Sequence, residues 1–107
     1  MMAQFDVHRN GGKQKDTSPF VVIVQSGLFD GYRRRVVVPL VRKVEIKRMP
    51  NPRLNPTFKV KNVAVVLHPL EIVSVANENL GERVGSLAAE GDAIIAALDE
   101  LITRAFG

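Results

Sequence analysis

Hydrophobic and polar positions cluster or alternate in short segments along most of the chain, a pattern typical of β-strands. Residues 20–24 are apolar and mostly β-branched, which predicts a strand buried on both faces. Polar stretches rich in glycine, asparagine or proline separate the segments and predict turns. The strands predicted in this way span residues 4–7, 20–24, 33–40, 42–47, 57–60, 63–67 and 71–76.

The connections and edges of these strands can also be predicted. Residues 4–7 alternate between polar and apolar, which predicts an edge strand with one solvent-facing side. We expect Pro39 to end the pairing of strand 33–40 or to bend its edge, because proline has no N–H to donate to a neighbouring strand. Residues 10–17 predict a hairpin loop, Lys61-Asn62 predicts a tight turn, and the three prolines within residues 49–56 predict a surface loop.

The end of the chain follows a helical period instead. From Asp92 onward the apolar residues would form one stripe along a helix, which we expect to span residues 92–104 and to pack on the sheet. The stripe consists of Ile94, Ile95, Leu98, Leu101, Ile102 and Ala105. Six or seven strands with one terminal helix predict an α+β fold, a small antiparallel barrel or sheet with the helix packed across it.

Length and composition limit the classes of protein that fit. A chain of 107 residues suffices for one core but not two, so residues 1–107 are expected to form a single domain. The absence of cysteine excludes disulfide scaffolds, thiolate metal sites and cysteine nucleophiles. No apolar run approaches the length of a membrane span, and the N-terminus lacks the pattern of a signal peptide. These features favour a cytoplasmic protein without a membrane partner.

Charge is divided unevenly along the chain. Residues 1–61 carry 13 of the 15 Lys and Arg residues, whereas residues 62–107 carry seven of the 11 acids. Such a division favours a partner recruited by charge, whether nucleic acid, an acidic protein or another copy of the chain. The alternative is that folding mixes the two halves and leaves a nearly neutral surface.

Candidate catalytic residues are few. The only histidines are His8 and His68, and no nucleophile elbow, phosphate-binding glycine loop or zinc-type spacing occurs. His68 closes an apolar strand, which favours a structural role. We therefore expect neither an enzyme nor a cofactor or metal. The triplet Arg33–Arg35 is the sharpest basic feature: it would bind a phosphate or an acidic peptide, or one of its arginines would pair with Asp30 and hold the turn.

Residues 24–40 contain a Val-Gln-Ser strand end, two apolar residues followed by Asp, the paired Arg34-Arg35, and a Val-Val-Pro-Leu run at residues 37–40. With this combination of motifs the segment resembles the CcdB family, the toxins of CcdA–CcdB toxin–antitoxin systems. Outside this segment, Gln4-Phe5 and Val73-Ser74-Val75 also match. In the terminal segment the matching positions are Val84, Leu87, Ile94, Ala97 and Leu98.

The resemblance implies a fold and a function. The family fold is a small SH3-like antiparallel β-barrel with a long C-terminal helix, and the family protein is a homodimer. Its members bind the GyrA subunit of DNA gyrase and trap the cleaved-DNA complex, so they are inhibitors and not enzymes. A CcdA-type antitoxin neutralises the toxin, and the pair represses its own operon, so that DNA is bound only through the antitoxin complex. The flexible acidic tail of such an antitoxin would suit the basic N-terminal half of this chain.

The resemblance also assigns candidate gyrase-binding residues. Leu28 and Phe29 take the place of the apolar pair that contacts gyrase, and Asp99 and Ile102 take the helix positions. The family's terminal Trp-Gly-Ile falls on Thr103, Arg104 and Ala105 in gap-free register. Alternatively, the helix is one turn longer and Phe106-Gly107 stands in for Trp-Gly. Antitoxin-binding residues are not assigned.

Two other functions remain open from the sequence. One is a homologue that has lost toxicity and only binds an antitoxin or regulates transcription. The other is an endoribonuclease of the related barrel class, with Arg33–Arg35 and His68 as its candidate residues.

Overall fold

The computed structural model describes residues 3–46 and 51–103. Within these ranges, short strands and 3-10 turns alternate until a single α-helix closes the chain. The strands and the helix are β1 (Asp6–Asn10), β2 (Phe20–Ile23), β3 (Arg34–Arg42), β4 (Thr57–Val60), β5 (Val63–Leu67), β6 (Val73–Ala76), β7 (Leu80–Ser86) and α1 (Gly91–Thr103). None of the described helices is long and apolar enough to cross a bilayer.

The strands form one antiparallel sheet in the order β4-β5-β3-β2-β1-β7, and β6 pairs with the first half of β3. Val22 pairs with both Val7 and Val38, which fixes the register at the centre of the sheet. The sheet curls into a half-barrel, and α1 packs on one of its faces. The predicted α+β fold with a barrel-like sheet and a C-terminal helix is therefore confirmed.

The core has two parts, one on each face of the sheet. Ile94 and Ala97 of α1 are fully buried in the larger cluster, together with Val22 and Val38. On the opposite face, Val21, Ile23 and Val37 form a smaller cluster that Val75 and Leu80 partly cover. Strand β2 is thus buried on both faces, as its unbroken apolar sequence predicts. Each such side chain contributes about 1.5–3 kcal/mol when it leaves water.

Helix α1 begins where the chain packs against Phe5. A Cβ atom at Gly91 would lie 2.8 Å from Cε2 of the Phe5 ring, so a glycine lets the first turn approach the ring. Asp92 follows in the first turn, where a negative charge suits the positive end of the helix dipole. The predicted start of the helix at Asp92 is correct to within one residue, and the predicted end at Arg104 lies outside the described residues.

Pro39 lies inside β3, which continues past it to Arg42. On one edge, β3 pairs with β6 over Arg34–Val37 and with β5 over Leu40–Arg42. Pro39 falls between these two partners, and its carbonyl accepts a hydrogen bond of 3.1 Å from the His68 N–H. The missing proline N–H is tolerated because it lies where one partner strand gives way to the next.

The edge strand predicted at residues 4–7 is wrong in two respects. The strand begins at Asp6, because Phe5 has a positive φ of 70° and turns the chain. It also lies inside the sheet, between β2 and β7, and Asp6, Val7 and His8 are all buried. The alternation of polar and apolar residues therefore does not mark a solvent-facing side here.

The strand predicted at residues 42–47 is also wrong. Arg42 is the last residue of β3, and Lys43–Glu45 form a 3-10 turn. Val44 is 86% exposed instead of packing beside Ile46. Lys47 lies outside the described residues.

The turn at Lys61-Asn62 is confirmed. Both residues have positive φ angles, of 51° and 65°, as a two-residue hairpin turn requires, and they connect β4 to β5. Residues 51–56 form the described part of the predicted proline-rich loop.

Candidate functional site

The connection from β2 to β3, residues 24–33, is built around the side chain of Gln25. The Gln25 amide nitrogen donates to the carbonyl oxygens of Phe29 and Arg34, at 3.0 and 3.3 Å. The amide oxygen accepts from the Val36 N–H at 3.1 Å. One side chain therefore ties the loop to the strand that follows it.

The buried side chain of Arg35 holds the same loop through hydrogen bonds to main-chain carbonyl oxygens. The Arg35 guanidinium donates to the carbonyl oxygens of Asp30 at 2.6 Å, Tyr32 at 2.7 Å and Arg34 at 3.0 Å. Its Nε atom lies 4.0 Å from the Asp30 carboxylate, and the residue is only 4% exposed. The prediction that one arginine of the triplet pairs with Asp30 and holds the turn is confirmed for Arg35.

Leu28 and Phe29 lie at the tip of this braced loop. They belong to a 3-10 turn, Gly27–Phe29, in which the Ser26 hydroxyl accepts from the Leu28 N–H at 3.2 Å. Leu28 is 88% exposed and Phe29 48% exposed. Two exposed apolar side chains on a turn that hydrogen bonds hold in place are typical of a protein-binding site.

Tyr32 of the same loop also belongs to this surface, although no sequence pattern marked it as a candidate. The Tyr32 ring meets the Phe29 ring edge to face, with centroids 6.0 Å apart, and is 66% exposed. Both rings border an open pocket of about 390 Å³. The pocket is lined by Gln25, Phe29, Tyr32, Arg34, Val36 and Ser74. The sequence feature that could have identified Tyr32 is a pair of aromatic residues three positions apart in a glycine-containing loop.

The helix end carries the second set of candidate residues. Asp99, Ile102 and Thr103 are all exposed, Ile102 by 70%. Asp99 and Thr103 border an open pocket of about 300 Å³, which Arg53 of the proline-rich loop also lines. The Arg53 guanidinium lies 3.8 Å from the Glu100 carboxylate. The remaining candidates, Arg104, Ala105, Phe106 and Gly107, lie outside the described residues.

The structure does not join the two sets directly. Leu28 and Phe29 follow β2, whereas Asp99, Ile102 and Thr103 close α1. Within the described ranges, no hydrogen bond, ion pair or ring contact connects one set to the other. A partner that uses both must therefore contact two separate elements.

The apolar stripe of α1 divides into an inner and an outer part. Ile94 and Ala97 are fully buried, and Leu98 and Leu101 are half-buried. Ile95 and Ile102 are exposed, and they lie seven residues apart and so on one side of the helix. The stripe predicted to pack on the sheet is wider than the face that the sheet covers. Its outer edge is available to a partner.

A buried carboxylate, that of Asp6, stabilises the start of β1. Asp6 receives hydrogen bonds from the Arg83 guanidinium at 3.3 Å and from the Ala3 N–H at 3.0 Å. Burial acts to raise the pKa of Asp6, but these hydrogen bonds and the positive charge of Arg83 outweigh it. The pKa of Asp6 therefore lies below its ordinary value of 3.8.

The residues considered for RNA cleavage do not meet. The His68 N–H bonds to Pro39, four residues along β3 from Arg35. At the rise of an extended strand, Pro39 and Arg35 lie about 13 Å apart along β3. Arg35 is also buried and bonded to main-chain carbonyls. Among the described residues, no three metal-ligating side chains come together.

Comparison with protein-family models relates the chain to a known family. A family model described as CcdB protein matches residues 4–104, nearly the whole chain. The matched range includes both the braced loop and the described part of α1. No curated protein sequence matches the chain.

Proposed function

The chain belongs to the CcdB family of gyrase-targeting toxins from toxin–antitoxin systems, and we propose that it binds the GyrA subunit of DNA gyrase and traps the cleaved-DNA complex. In this proposal it acts as an inhibitor and not as an enzyme. Its action requires a surface that fits gyrase and needs no catalytic group of its own.

The exposure of Leu28 is the observation that carries this proposal. A leucine that is 88% exposed loses contact with water only when a partner covers it, which contributes about 1.5–3 kcal/mol to binding. The Gln25 and Arg35 side chains already hold the loop in shape. The loop therefore loses little conformational entropy on binding, which favours a tight complex.

The end of α1 would supply the second contact. Ile102 offers an exposed apolar side chain, and Asp99 and Thr103 offer polar groups beside it. We propose that the chain is a homodimer, so that two braced loops and two helix ends are presented together. Arg104, Ala105, Phe106 and Gly107 complete the proposed gyrase-binding set.

A CcdA-type antitoxin is the second proposed partner. The arginines and lysines of residues 1–61 complement the acidic tail that such an antitoxin carries. Together the two proteins would repress their operon, and the toxin would contact operator DNA only through this complex. A gyrase target places the toxin in the cytoplasm.

One observation favours a second candidate, an antitoxin-binding homologue that no longer poisons gyrase. In gap-free register, Thr103 stands where the family has a tryptophan, and it is an exposed polar residue. Loss of a buried aromatic anchor costs about 2–4 kcal/mol of binding free energy. Expression in growing cells separates the two candidates, because the proposed toxin arrests growth and the homologue does not.

The direct test is binding of the purified protein to the dimerisation region of GyrA by calorimetry. The proposal predicts a saturable complex that forms without DNA or nucleotide. A chain that is folded by circular dichroism but produces no binding heat at micromolar concentrations would contradict it.

A further inference from the structure

The braced loop carries aromatic rings and arginines side by side. Phe29 and Tyr32 present two exposed rings at 69° to each other, and both border the pocket of about 390 Å³. Arg34 lines the same pocket. Exposed rings bordered by positive charge are the arrangement on which unpaired bases stack.

The two arginines next to Tyr32 are available to an anion. Arg34 is exposed and held by two hydrogen bonds, from Nε to the Ser74 hydroxyl at 2.9 Å and from Nη2 to the Ser74 carbonyl at 2.7 Å. These bonds position the guanidinium and leave it with further donors. Arg33 is exposed, and its guanidinium has no hydrogen bond or ion pair within the described ranges.

The nearest acid in the sequence does not cancel this charge. Asp30 is turned toward Arg35, whose Nε lies 4.0 Å from the carboxylate. The buried Arg35 therefore balances Asp30, and Arg34 remains as surplus positive charge at the pocket. Phosphate groups match that charge, whereas an apolar ligand alone would leave it unused.

We propose that Phe29, Tyr32 and Arg34 form a binding site for single-stranded nucleic acid. A base stacks on the Tyr32 ring, and the Arg34 guanidinium contacts a phosphate next to it. Stacking needs a base whose face is free, so duplex DNA is a poor ligand. No base edge is read, and the site accepts different sequences. This inference does not depend on gyrase binding.

The chain provides its own probe for this site. Tyr32 is the only tyrosine and the chain has no tryptophan, so tyrosine emission reports on this pocket alone. The experiment titrates the full chain with a twelve-residue oligo(dT) and with oligo(U) at low salt, without gyrase. We expect quenching of Tyr32 emission together with a rise in the anisotropy of the labelled oligonucleotide. Emission and anisotropy that stay unchanged with both, or equal affinity for a duplex of that length, would overturn the proposal.

Variants separate stacking from general attraction by charge. Tyr32→Ala should weaken oligonucleotide binding by about 5- to 150-fold, because stacking on one ring contributes about 1–3 kcal/mol. Tyr32→Phe keeps the ring and should bind, by anisotropy, within about twofold of the wild type. The outcome against the proposal is a Tyr32→Ala protein that binds as well as the wild type.

A charge-matched pair tests the arginine contact. Arg34→Ala should weaken binding and reduce the dependence of affinity on salt by about one counterion. Lys59→Ala removes the same charge from an exposed position on β4 and should leave the affinity within about twofold. An equal loss in both variants would show attraction to the whole chain rather than a site, and would overturn the proposal.

Discussion

The Arg35 guanidinium lies under the loop of residues 24–33 and donates a hydrogen bond of 2.6 Å to the Asp30 carbonyl. Through this bond, the last arginine of a basic triplet supports the turn and is not available to a partner. Arg33 and Arg34 remain exposed. Arg35 therefore holds the loop in the shape in which Leu28, Arg33 and Arg34 are exposed.

Arg35→Met should destabilise the protein. Three main-chain carbonyls lose a charged donor while the side chain keeps similar bulk, so we expect the free energy of unfolding to fall by about 2–4 kcal/mol. Urea denaturation measures this change. Arg33→Met is the matched control and should stay within about 0.5 kcal/mol of the wild type. Equal stability of the two variants would contradict the bracing role of Arg35.

Leu28→Ala should weaken gyrase binding without affecting the fold. The side chain is 88% exposed, so its removal creates no cavity, but it takes most of an apolar anchor from the proposed interface. We expect a loss of affinity for GyrA of about tenfold or more by calorimetry. Val44→Ala removes an equally exposed apolar side chain from the turn after β3 and should bind normally. A similar loss in both variants would argue against a specific role for the loop.

Ile94 and Ile102 should behave oppositely, although both belong to the apolar stripe of α1. Ile94 is fully buried, so Ile94→Ala should cost about 2–5 kcal/mol of stability in thermal or urea unfolding. Ile102 is 70% exposed, so Ile102→Ala should leave stability nearly unchanged and weaken GyrA binding. A stable Ile94→Ala protein would mean that the packed face of the helix is assigned incorrectly.

Acid should destabilise the fold in part through Asp6. Its pKa in the folded protein lies below the ordinary value of 3.8, because Arg83 and the Ala3 N–H bind the charged form and outweigh the effect of burial. The ionised group therefore stabilises the fold fully above about pH 4, and this contribution is lost as the pH falls through the folded pKa.

Asp6→Asn tests this dependence. The variant should be less stable at pH 7 and should lose less stability than the wild type below about pH 4. Asp16→Asn, in the exposed loop between β1 and β2, serves as the control and should follow the wild-type curve. Parallel pH profiles for Asp6→Asn and the wild type would exclude Asp6 as a source of acid sensitivity.

The elements that were predicted correctly are those whose own residues determine their conformation. Residues 20–23 are apolar without interruption, and Lys61-Asn62 supply the positive φ angles of a tight turn. Both features are local, so they can be read without knowing which strands pair.

The missed strand β7 depends on its partner instead. Its residues include Gly81, Gly85 and the charged Glu82 and Arg83, which obscure any alternation. A Cβ at Gly81 would lie 2.7 Å from the Arg9 carbonyl, so this glycine is explained by the close approach of β1. Pairing with a distant segment decides the structure here, and a sequence pattern does not contain that information.

The candidate site was predictable only in part. The resemblance to the CcdB family placed Leu28 and Phe29 at the partner surface, and the structure shows both exposed. The pocket between Tyr32 and Arg34 required coordinates, because Ser74 on β6 positions the Arg34 guanidinium from forty residues away. The contact between Arg53 and Glu100 likewise joins segments that no local pattern relates.

Trapping of cleaved DNA by gyrase tests the central proposal most directly. Purified gyrase and supercoiled plasmid are incubated with the protein and ATP, then treated with detergent and protease, and the fraction of linear DNA is measured. Linear DNA should accumulate with increasing wild-type protein and should require a higher concentration of Leu28→Ala. If linear DNA stays at the level of gyrase alone while the protein is folded and in excess, this chain does not poison gyrase.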